Sequence, residues 1–159
     1  MSASAELASL FRRDLTRLTQ QLAAFPDDGS LWKTGPGIAN SAGNLALHLE
    51  GNLREYIGRQ LGGVAYTRQR PLEFSTKGLA ACEVIERIEA VRGLICSTVA
   101  LLSQTELDAA FPEIVLDVPL TVRQFLVHLL GHLNYHLGQI DYARRLLTGS
   151  GAIELARLA

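Results

Sequence analysis

Residues 121–147 read TVRQFLVHLLGHLNYHLGQIDYARRLL. Val122, Phe125, Leu126, Leu129, Leu133, Ile140, Ala143 and Leu147 recur on the three-and-four spacing of one helical face. Thr121 stands where an N-cap belongs, and Gly149 follows the last periodic residue. A helix of this length with a single apolar stripe must bury that stripe against other elements.

The rest of the chain supplies them. Leu7, Leu10, Phe11, Leu15, Leu18 and Leu22 predict a helix from about Ala3 to Phe25, ended by Pro26, Asp27, Asp28 and Gly29. Leu45, Leu49, Leu53, Tyr56 and Ile57 predict a second, from Asn40 or Ser41 to about Leu61, with Gly62 and Gly63 after it. Val84, Ile85, Ile88, Val91, Leu94, Ile95, Val99 and Leu102 predict a third, from about Lys77 to Leu102. A short helical turn is expected around Glu106–Ala110, and residues 64–76 read as an ordered loop. Only Ile114 to Val118 hints at strand alternation. Four amphipathic segments predict an all-α fold, a four-helix bundle over residues 1–149 with a tail at 150–159.

Composition narrows the function. In 159 residues, 48% hydrophobic and 19% charged, there is room for one well-buried domain. The net charge of −1 is scattered, so neither nucleic acid nor an anionic membrane surface is an expected partner. No apolar run is long enough to span a bilayer, and Met1 to Leu10 do not read as a signal peptide. Cys82 and Cys96 lie fourteen residues apart in one predicted helix, about 20 Å along its axis and beyond the reach of a disulfide. They read as small core residues of a reduced, cytoplasmic protein.

The chemistry lies in the histidines. Of four, three are His128, His132 and His136, each four residues from the next. Neighbouring pairs share a helical face within reach of one ion. His128 and His136 are about 12 Å apart along the axis, so the three cannot chelate together. His136 falls on the line through Leu129, Leu133 and Ile140, with His132 one turn earlier, so this is the pair expected to chelate. His48, inside the apolar stripe of the second segment, is the one histidine left to complete a site. A single histidine in an apolar helix is ordinarily a hydrogen-bonded core residue. Three imidazoles buried together are another matter, because one metal satisfies all of them. Gly131 and Gly138, interrupting the last helix beside its histidines, point to close packing or ligand access.

The run His132-Leu133-Asn134-Tyr135-His136-Leu137-Gly138-Gln139-Ile140 resembles the last-helix motif of the DinB/YfiT-like superfamily. Asn44 to Leu53, with His48 before Leu49, is similar to its second-helix motif. The loop from Gly62 through Arg68, Arg70 and Glu73 to Phe74 is similar to one branch, named only as a domain of unknown function. The resemblance implies a four-helix bundle, often a homodimer. Its metal ligands would be His48, His132 and His136, with no ligand role for His128. Gln139 matches the motif's glutamine, which would orient the site or the helix, and Arg68 with Glu73 reads as a loop anchor.

Three neutral imidazoles leave a coordination position open, the pattern of a catalytic ion. Such ligands suit a divalent transition metal, zinc, nickel or iron, with copper a further fit. The resemblance implies a metal-dependent enzyme of the thiol-transferase kind, or a hydrolase, acting on a small molecule and activating a low-molecular-weight thiol. Two other classes stand beside it, a non-catalytic metal-binding module and a dimeric scaffold with structural histidines. Asn52 shares the face of His48, and Tyr56 and Tyr135 are further polar candidates, whereas Glu50 points about 160° away.

Overall fold

The computed structural model describes residues 2–115 and 117–158. Among them there are helices and two isolated β-bridges, and no strand. Helix α1 spans Ala3–Ala23 and α2 Asp28–Leu31. Helix α3, Ala42–Leu53, runs on as a π-helical turn, Arg54–Arg59. Then come α4 (Arg70–Ser75), α5 (Ala81–Leu101), α6 (Gln104–Asp108) and α7 (Val122–Thr148). The four long helices are the four expected from periodicity. Helices α1 and α3 each pack against both α5 and α7, which makes the bundle.

Local chemistry sets the ends of the two helices that carry histidines. Ser41 Oγ accepts from the Asn44 amide, and Thr121 Oγ1 from the Gln124 amide while the Gln124 side chain accepts from Thr121 N. Gly149 closes α7 at φ 71°, a conformation glycine adopts without strain. Between these ends, Phe11, Leu15, Leu49, Leu53, Ile88, Ile95, Phe125, Leu129, Leu133 and Ile140 interlock in one core. Each such side chain contributes roughly 1.5–3 kcal/mol on burial.

Polar ties fix α7 along its axis. Asn134, between the two histidines, donates at 2.7 Å to Asp14 of α1, which also takes Arg13 and Arg17. Arg144, 1% exposed, donates to Gln21 of α1 at 2.8 Å. The segment after α7 lies against α1, where Arg17 donates to the Ala156 carbonyl and Ala156 N to Gln20.

Several expectations change. Residues 64–76 contain a helix, α4, and the breaker-rich stretch after α1 contains α2; both are too short to show periodicity. Around Ile114–Val118 there is only a bridge between Val115 and Val118, and Leu116 lies outside the described residues. Cys96 is buried, but Cys82, in the first turn of α5, is exposed. Gly131 and Gly138 do not serve packing within the chain, because a Cβ at either position would meet nothing within 4 Å. No helix among the described residues is long and apolar enough to cross a membrane.

Candidate metal centre

His48 projects from the middle of α3, 7% exposed, and His132 and His136 from successive turns of α7. One ligand atom from each lies within 4.8 Å of the others. His48 Nε2 is 3.2 Å from His132 Nε2, which is 3.0 Å from His136 Nε2. A metal–nitrogen distance of about 2.1 Å puts ligand nitrogens about 3.0 Å apart at a right angle and about 3.4 Å at the tetrahedral angle. Both contacts fall in that interval.

The outer faces of two rings settle their tautomers. His48 Nδ1 is 2.9 Å from Glu73 Oε2, and a carboxylate can only accept, so this nitrogen carries the proton. His136 Nδ1 sits 2.7 Å from Gln139 Oε1 and donates in the same way. Both Nε2 atoms are therefore lone pairs aimed at His132 Nε2. One proton on His132 could bridge to only one of them, whereas a cation satisfies all three. His132 Nδ1 is buried with no partner among the described residues, as is Asn52 Oδ1, one turn beyond His48. The donor set fits a cation held by three Nε2 atoms.

Charge and burial keep the rings ready to ligate. Burial, followed by the neighbouring His136 and His48, pulls the His132 imidazole down to a pKa of about 4. His48 and His136 are also lowered, chiefly by burial, and the Glu73 contact partly offsets this for His48. The metal-free chain should show the consequence. A histidine with a depressed folded pKa stabilises the fold fully above its unfolded value, near 6.5. As pH falls from there to about 4, the unfolded chain takes up a proton that folded His132 refuses. Thermal denaturation of the metal-free protein should therefore show stability declining across that window. A flat profile between pH 7 and 4 would contradict the buried, neutral His132.

Sequence reasoning missed how the 64–76 segment meets His48. Arg68 grips Glu73 with two bonds, 2.7 and 2.9 Å, and Glu73 passes the contact to His48. Asn44 Nδ2 donates to the carbonyls of Glu73 and Thr76, tying α4 to the start of α3. Phe74 packs on the His48 ring at 5.0 Å. Gly51 makes the approach possible, because a Cβ there would lie 2.1 Å from Glu73 Oε1. A glycine inside a helix, opposite a loop bearing an acid, was the available signal.

The other candidates fall outside the cluster. His128 is exposed and stacks on Phe125 at 5.8 Å. Tyr56 packs edge-on against Phe125, with the Arg68 guanidinium above its ring. Tyr135 is 65% exposed beside His136. Glu50 bonds Arg54 and Arg87, away from the histidines as its helical angle requires.

The sequence profile described as the DinB superfamily matches residues 10–140. The fold is similar to the crystal structure of a DinB-like protein from Bacillus cereus ATCC 10987. The TM-score is 0.65 at 17% identity, over 89% of this chain and 91% of that one. No curated protein matches the chain.

Proposed function

The chain belongs to the DinB superfamily, and on that premise we propose that it holds one divalent transition metal at His48, His132 and His136 and works as a thiol-activating transferase. The observation that carries this reading is the convergence of three Nε2 atoms with two Nδ1 protons already committed. Once bound, such an ion supplies a Lewis acid with an open position, able to hold a thiolate at neutral pH. The chain's own residues do the rest. Glu73 keeps the His48 proton on Nδ1, and Gln139 does the same for His136. Zinc, nickel and iron all suit the donor set.

The test starts with metal-stripped protein titrated with zinc, nickel or ferrous iron. One equivalent should bind, and the loaded protein should then join a small thiol to an electrophile faster than the stripped protein does. Binding without turnover would leave a metal-binding module. No binding would end the metalloprotein reading.

We further propose that the protein is cytoplasmic and forms a homodimer through the outward face of α7. Val127, Gly131, Tyr135, Gly138, Tyr142 and Leu146 line that face without a charge among them, and its four large residues are more than half exposed. Two such faces crossing antiparallel would set Tyr142 on Gly131, Tyr135 on Gly138 and Val127 on Leu146, an isologous fit. Sedimentation should give the mass of two chains, and Tyr142→Glu that of one. A monomeric wild type would discard the dimer.

A further inference from the structure

The three rings are equivalent as ligands but not in what stands behind them. His48 has a carboxylate at its Nδ1, His136 a neutral amide oxygen, and His132 no partner among the described residues. A charged acceptor polarises an imidazole N–H more strongly than a neutral one. His48 is thus the strongest donor of the set, and Glu73 the source of that difference. Glu73 is 6% exposed; its Oε1 takes Arg68 Nε, and its Oε2 takes both Arg68 Nη2 and the His48 N–H. A simple loop anchor would need only the ion pair with Arg68 and the Asn44 bonds to the backbone. Neither requires the oxygen shared with Arg68 to lie 2.9 Å from His48 Nδ1 as well, or explains why α3 carries a glycine where any side chain would block the approach.

Resting on the proposed three-histidine site, the geometry points to Glu73 as a positioning residue that fixes the orientation and donor strength of His48, with Arg68 holding Glu73 in place and opposing the metal's charge. Arg68 reaches within 3.4 Å of His48 Nδ1. It therefore has two opposed effects on a cation at the site, indirect help through Glu73 and direct repulsion through space. An anchor that merely docks the 64–76 segment predicts that removing either partner has the same consequence. A positioning pair predicts different ones.

The experiment measures the cobalt(II) dissociation constant by competition with a chelator, together with the visible d–d spectrum, for the wild type, Glu73→Gln and Arg68→Met. In Glu73→Gln the affinity should fall by about 10–100-fold, the usual effect of losing such a partner, and the bands should shift. In Arg68→Met the affinity should stay at or above the wild-type value. Circular dichroism of the metal-free proteins separates folding from ligation, and Glu73→Asp, which keeps the charge, should recover part of the affinity if Glu73→Gln proves unfolded. Equal losses in both variants, or an unchanged spectrum and affinity in Glu73→Gln, would overturn the positioning role while leaving the metal site standing. A wild type that binds no cobalt, zinc, nickel or iron would overturn both.

Discussion

His132→Ala is expected to empty the metal site, taking the bound ion from about one per chain to near none, while His128→Ala retains it. His132 is the middle ring, in contact with both other Nε2 atoms. His48 and His136 alone offer a two-nitrogen site. Structural zinc bound by four ligands has an apparent free energy of roughly 10–16 kcal/mol, so about 3 kcal/mol per ligand is a reasonable scale. That is about a hundredfold in affinity. The metal-free fold should tolerate the change, because His132 brings a buried nitrogen with no partner among the described residues and an imidazole crowded by two others. Elemental analysis and a denaturant melt of the stripped variant together check this. Metal retained by His132→Ala, or lost by His128→Ala, would contradict the assignment.

Gly51→Ala should destabilise the fold and weaken metal binding together. The new Cβ would sit 2.1 Å from Glu73 Oε1 and 2.8 Å from its Cδ. A carboxylate at the end of a free side chain would swing away, but this one is held by Arg68 on one side and His48 on the other. Yielding breaks at least one buried, charge-assisted bond, about 2–4 kcal/mol once the strained pair is included. Metal affinity should fall as well, since Glu73 can no longer face His48. Ala46→Gly, in the same helix, serves as a reference, because its cost comes from helix propensity and lost packing alone and should leave metal binding unaltered. Urea melts and metal titration of both variants decide the matter. A Gly51→Ala protein as stable as the wild type would mean the loop re-docks at no cost.

The long helices were legible because their apolar residues recur on one face, and the pairing of His132 with His136 because four-residue spacing on a helix is geometry. His48 followed by elimination among four histidines. The contact between His48 and Glu73 was not legible. It joins residues 25 apart through a loop, and no periodic pattern reports where a loop folds back. The segments α2 and α4 span little more than one turn, too few residues to repeat a pattern. Cys82 was misplaced because helical phase is least certain in a first turn. The two glycines of α7 were read as sites of close packing or ligand access, whereas their spacing with Val127, Tyr135, Tyr142 and Leu146 puts them on the outer face.

The helices that meet at this centre lie far apart along the chain, with His48 and His132 84 positions apart. A disulfide over that span would restrain the unfolded chain by about 4–5 kcal/mol. An ion shared by the two rings ties the same segments only in the folded state, by mass action. Helix α3 could then not part from α7 until the ion left. With the proposed ion bound, the lifetime of the protein against proteases would follow the supply of that metal.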